Sequence, residues 1–168
     1  GKSPQKVDIQ IISDKLESDA ITQYFNGGAT DIAVRPDGKE IAFIVRGDVY
    51  VTSSDYETTK RITNTPEQER NLDFSPDGRT LIYSSERNGI WNIYKTDIVR
   101  EEDKYFTYAK ELKEEPLTES KVASFQPSFS PDGKEVAFLE NRTTLRVLNL
   151  KSKKVRTVLD GKYNYSYS

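Results

Sequence analysis

Asn71-Leu72-Asp73-Phe74-Ser75-Pro76-Asp77-Gly78-Arg79-Thr80-Leu81-Ile82-Tyr83-Ser84 is the stretch whose reading decides the fold. Two short β-type runs flank a turn in which each residue has a mechanical role. Pro sets φ near −65° at the first central position, Asp tolerates the next and bonds nearby amides, and Gly takes φ > 0. This is a type I turn closed by a glycine bulge, a common three-residue hairpin connection. The pattern recurs over residues 30–44, around Arg35-Pro36-Asp37-Gly38, and over 126–139, around Ser130-Pro131-Asp132-Gly133. The prolines at 36, 76 and 131 lie 40 and 55 positions apart, so the second unit is longer by 15.

A second hairpin follows in every unit. Arg46-Gly47 separates the run 41–45 from 49–51, and Asn88-Gly89, a strong hairpin signal, separates 81–84 from 91–94. Asn141-Arg142-Thr143 takes that place before 145–148. A fourth run closes each unit, at 60–63, 116–118 and 155–158. Four short antiparallel strands at a period near 40 are the signature of a β-propeller blade. The sequence therefore predicts an all-β chain, a partial β-propeller of about three four-stranded antiparallel blades. The expected divisions are an N-terminal strand region over 1–28, blades over 29–65, 69–121 and 124–160, and the start of a next element at 163–168.

Composition agrees and excludes much else. Apolar residues make up 35%, below the roughly 45–50% of an ordinary globular chain, as expected where thin layers replace one thick core. The 10 Tyr, 7 Phe and 1 Trp argue against disorder, in which aromatics are scarce. With no His and no Cys, a Ser-His-Asp or Cys-His catalytic group, a His/Cys zinc site and a disulfide framework are all excluded. No catalytic, cofactor or metal residue is expected. A formal net charge of −2 offers no global attraction for nucleic acid, and no apolar run approaches the roughly 20 residues of a membrane-spanning helix. The chain lacks Met, so the expectation is a segment of a longer protein.

The Ser-Pro-Asp-Gly-Lys/Arg hairpin followed by Ile/Leu/Val-Ala/Ile-Phe/Tyr resembles the propeller repeat of TolB and of tricorn proteases. The blocks at 27–34, 46–53, 62–70 and 84–87 resemble the amino-terminal propeller of bacterial tricorn-like proteases. Arg35 departs from the Ser usual at its position, which the sequence reads as a change to one turn. The resemblance implies a secreted or periplasmic serine peptidase whose catalytic domain lies elsewhere, with the propellers routing peptide substrates. On that footing the chain is a non-catalytic segment serving substrate passage or domain scaffolding, with peptides, proteins or neighbouring domains as partners. The alternative is a TolB-like interaction propeller belonging to no enzyme.

Several smaller motifs read as structure. Asp37, Asp77 and Asp132 stand one per turn, without the clustered spacing of a calcium loop. Glu101-Glu102-Asp103 and Glu114-Glu115 read as solvated charge, and Trp91, alternating with Ile93, reads as blade core. The insertion over 97–115 is the one segment the repeat does not explain. It carries Tyr105, Phe106 and Tyr108, the candidate partner or substrate contacts, unless those rings pack on a blade; some helix over 101–113 is compatible with its composition. Three blades leave two outer faces uncovered, so self-association through them is a further expectation.

Overall fold

The computed structural model describes residues 9–12, 22–25 and 28–161. All of its regular structure is β. The first blade consists of β3 (Ala29–Val34), β4 (Glu40–Val45), β5 (Asp48–Ser53) and β6 (Thr59–Arg61). Its sheet continues beyond β6 through a hairpin of β1 (Ile9–Ile12) and β2 (Thr22–Phe25), with β1 parallel to β6 at Ile12 and Lys60. The second blade is β7 (Glu69–Phe74), β8 (Thr80–Arg87), β9 (Ile90–Ile98) and β10 (Leu112–Pro116). The third is β11 (Ser124–Phe129), β12 (Glu135–Glu140), β13 (Thr144–Asn149) and β14 (Val155–Asp160). Within each blade neighbouring strands are antiparallel, and β7 packs against both β3 and β11. The first strands of the blades thus line the inside of the arc, and the fourth strands its rim.

Two turn chemistries shape each blade. In the first hairpin Gly78 N–H donates to Ser75 O at 2.8 Å, and Ser75 N–H donates to Thr80 O at 2.9 Å. The Asp77 carboxylate accepts Arg79 N–H at 3.0 Å, and the Ser75 hydroxyl accepts Thr80 N–H at 2.9 Å. Ser130, Asp132 and Gly133 repeat the arrangement. Gly78 and Gly133 sit at φ 71° and 70°, as this turn requires. The aspartates the sequence assigned to turns are occupied by their own turns. A bulge between positions 70 and 73 of β7, matched in β3 and β11, bends each inner strand.

Alternation then sorts the apolar side chains between joints. Ala42, Ile44, Val49 and Val51 of blade 1 meet Phe74, Leu81 and Tyr83 of blade 2 in the largest buried cluster. Phe43, Val45 and Tyr50, on the other face of blade 1, form their own cluster. Ile93 of blade 2 meets Phe138 and Leu148 of blade 3. The same faces are stitched near the inside of the arc, where Asp31 accepts Asn71 N–H at 3.2 Å and Asn71 accepts Gln126 N–H at 3.3 Å. Ile32 and Val34 of β3 and Val158 and Leu159 of β14 remain exposed.

One turn departs from the pattern. Arg35 stands where the other blades have Ser75 and Ser130, and its Nε donates to Gly78 O of blade 2 at 3.1 Å. A Cβ on Gly78 would meet that guanidinium inside van der Waals contact, with Cζ at 2.7 Å; a Cβ on Gly133 would meet only Pro76 Cδ at 3.3 Å. Gly133→Ala is therefore expected to cost about 1 kcal/mol, mainly through the left-handed backbone, with a small shift of Pro76. Gly78→Ala is expected to cost about 1–3 kcal/mol more through the clash, and that surplus should vanish in an Arg35→Ser background. Urea midpoints of the four-variant cycle check this. Equal Gly78→Ala losses in both backgrounds would show that Arg35 does not press on the turn.

Candidate functional site

The insertion of blade 2 begins with an extension of its own hairpin. β9 runs to Ile98 and pairs with β10 from Leu112 onward, so part of the expected loop is strand and the true loop is 99–111. The fourth strand lies at 112–116 rather than 116–118. Among the described residues the loop contains turns and no helix, which corrects the helical content its composition allowed. Arg79 shapes it from inside, donating to the carbonyl oxygens of Asp103 at 2.8 Å, Arg100 at 2.8 Å and Ile98 at 3.2 Å.

The loop lies on blade 1, and a buried carboxylate receives it. Glu40, 1% exposed at the start of β4, accepts Phe106 N–H at 3.1 Å, Thr107 N–H at 2.8 Å and the Thr107 hydroxyl at 2.9 Å. Burial raises its affinity for a proton, while those donors and the Arg35 charge 3.7 Å away pull the other way; the net displacement is upward. Arg35, 4% exposed, completes the arrangement. Besides Gly78 O it donates to Lys104 O at 3.0 Å, pairs with Asp37, and lies 4.6 Å over the Tyr105 ring. The departure at Arg35 therefore reaches well beyond one turn: it ties blade 1 to both the hairpin and the insertion of blade 2.

Of the three aromatic residues singled out from the sequence, Tyr105 and Tyr108 line one cleft and Phe106 does not. Phe106 is fully buried, edge-on to Phe74 at 5.9 Å within the core shared by blades 1 and 2. It is a packing residue, and its burial removes it from the contact set. Tyr105 is held beneath Arg35. Tyr108 remains 53% exposed and, with the exposed Tyr56, borders a shallow cleft of about 180 Å³ beside the Lys39–Asp55 ion pair. The paired acids are likewise engaged. Glu114 accepts from the Tyr83 hydroxyl and from Arg87 at 2.7 Å. Glu115 is held down to about 2 by Lys113 and Lys95.

A second buried carboxylate closes the opposite end of the same joint. Glu69, 1% exposed at the start of β7, accepts the hydroxyls of Ser85 at 3.0 Å, Thr65 at 3.1 Å and Thr63 at 3.2 Å. Thr63 in turn accepts Val49 N–H at 2.9 Å. Burial dominates, with Asp48 adding repulsion, and lifts Glu69 to about 7. Neither Glu40 nor Glu69 was singled out from the sequence. For Glu69 the available signal was a carboxylate at a strand start where blade 3 has Ser124; Glu40 offered less, because blade 2 has Thr80 at that position but blade 3 repeats the acid as Glu135.

No protein-family model matches the chain. It is 30% identical over 156 residues to dipeptidyl-peptidase 5 of Porphyromonas gingivalis, an alignment covering 83% of this chain and 22% of that protein. The chain thus spans about a fifth of that relative's length. Among solved structures it is similar to a putative TolB from Agrobacterium tumefaciens, with a TM-score of 0.66, 20% identity, and 83% of this chain and 52% of that one covered. TolB from Acinetobacter baumannii gives a TM-score of 0.60 and 22% identity over 82% and 34% of the two chains. The tricorn protease gives 0.58 and 15% over 83% and 13%.

Raised acid affinities carry a definite sign. Because Glu69 holds its proton more tightly folded than unfolded, native stability falls as pH rises from its ordinary 4.5 to about 7. Glu69→Gln should remove that slope, so wild type should lose on the order of 2–3 kcal/mol relative to the variant across the interval. Parallel stability profiles by denaturant titration at several pH values would contradict the burial argument. Three blades of antiparallel sheet, an inner arc of first strands and these neighbours make the chain a partial β-propeller with the fold of TolB and the tricorn protease propellers.

Proposed function

We propose that the chain is a non-catalytic propeller segment of a tricorn-like serine peptidase, guiding peptide substrates or scaffolding neighbouring domains. The observation that carries this reading is the 30% identity to a dipeptidyl-peptidase across 83% of the chain. The sequence supports it from another side. Without His or Cys, the chain's own side chains cannot assemble a Ser-His-Asp or Cys-His catalytic group. The doubly fastened joint between blades 1 and 2 suits a stiff wall along a passage. On the same reading the protein works in the periplasm or outside the cell. No helix among the described residues is long and apolar enough to cross a membrane.

The rival reading, an interaction propeller outside any enzyme, draws on the higher TM-score with TolB, 0.66 against 0.58 for the tricorn protease. That likeness concerns the fold. Activity separates the two readings. The purified chain is expected to leave peptide and ester substrates intact, while the full-length product of its gene is expected to hydrolyse peptides. Turnover that tracks the purified chain through successive columns would overturn the non-catalytic role. A full-length product that captures protein partners without hydrolysing peptides would overturn the peptidase assignment in favour of the rival.

A further inference from the structure

The joint between blades 2 and 3 lacks the two fastenings of the first joint. Ser75 and Ser124 stand where Arg35 and Glu69 stand at the first joint, and the buried Ser124 hydroxyl has no hydrogen-bond partner among the described residues. At this joint a cleft of about 400 Å³ opens, bordered by Arg70, Asn71, Phe125, Gln126, Leu139 and Arg142. Arg70 lies 5.1 Å over the Trp91 ring, Trp91 lies 5.8 Å from Phe125, and Arg142 lies 4.7 Å over Phe125. Arg61, Arg87, Arg146 and Arg156 each meet a carboxylate. Arg70 and Arg142 have none within ion-pair distance among the described residues, and both are exposed. Arg142 also holds φ 62° at the turn position where the other blades use Gly47 and Gly89, a conformation unfavourable for a residue with a Cβ.

We propose that Arg70 and Arg142, carried on Trp91 and Phe125, form a binding site for side-chain carboxylates of an acidic polypeptide segment. A guanidinium laid flat on a ring keeps its in-plane N–H donors free, and that fork matches a carboxylate. Phe125 and Leu139 supply an apolar wall for the aliphatic part of Asp or Glu or for its neighbours, and the Gln126 amide is exposed beside them. Single-stranded nucleic acid fits less well. Base platforms need open aromatic faces, whereas here the rings tilt against each other at 37° with an arginine over each, and among the described residues bordering the cleft the cations without a carboxylate partner are two. The site lies beside the starts of β7 and β11, the innermost strands of their blades, where a segment following the inside of the arc would meet it. The proposal holds whether or not the parent protein is a peptidase.

Trp91 is the only tryptophan, so its emission reports on the site directly. The chain is titrated with a ten-residue peptide of alternating Glu and Leu, acetylated and amidated, and with its Gln-for-Glu counterpart. A saturable emission change with the Glu peptide alone is expected, weakening at least tenfold in Arg70→Gln/Arg142→Gln and weakening with added salt. Circular dichroism and urea midpoints establish that the variant is folded. Arg142→Gly, which relieves the turn while removing the charge, should weaken binding without loss of stability. No emission change, equal response to the Gln peptide, or undiminished binding to the folded double variant would overturn the proposal. So would tighter binding of inorganic phosphate or of an oligothymidine, or binding that requires a free peptide α-carboxylate.

Discussion

A guanidinium carried into a protein interior must find acceptors for its donors, because leaving them unmatched costs several kcal/mol. Arg35 finds two of its three acceptors across a joint, Gly78 O on one hairpin and Lys104 O on the insertion, with the Tyr105 face between them. Only Asp37 and Glu40 belong to its own blade. Glu40 is constrained in the same way, since its satisfied donors are Phe106 and Thr107 of blade 2. Two buried charged groups on blade 1 thus complete their hydrogen bonding only when blade 2 and its insertion are in place. This makes the insertion a structural part of the joint, and it explains why Phe106 fills the shared core.

The repeat, the turns and the blade architecture were legible because each rests on local chemistry. Pro, Asp and Gly at fixed spacing impose one turn wherever they occur, and alternation assigns faces. The site was legible only in part. Tyr105, Phe106 and Tyr108 drew attention to the insertion, but three aromatics within four residues cannot disclose which ring packs against Phe74 in the core of the joint. Arg35 was visible as an exception to the repeat, yet the length of an arginine side chain, which lets it act on another blade, is not encoded in the turn pattern. The Arg70–Trp91–Phe125–Arg142 group draws on four different stretches of the chain, and only the fold brings them together.

The two joints therefore differ in kind. The first holds buried carboxylates at both ends and a continuous apolar layer, the second a smaller apolar contact with a cationic, ring-backed cleft beside it. Repetition makes the blades geometrically alike, and the departures from it distribute stiffness and chemistry unequally between them.

Native-state hydrogen exchange at the Phe106 and Thr107 amides tests this account most directly. If Glu40 and Arg35 make the insertion part of the joint, these two amides exchange with the same free energy as Val49 and Leu81, through a common opening of both blades. Exchange as fast as that of the Glu101 and Glu102 amides in the same loop would show that the insertion opens on its own, and that the buried charges do not bind the blades together.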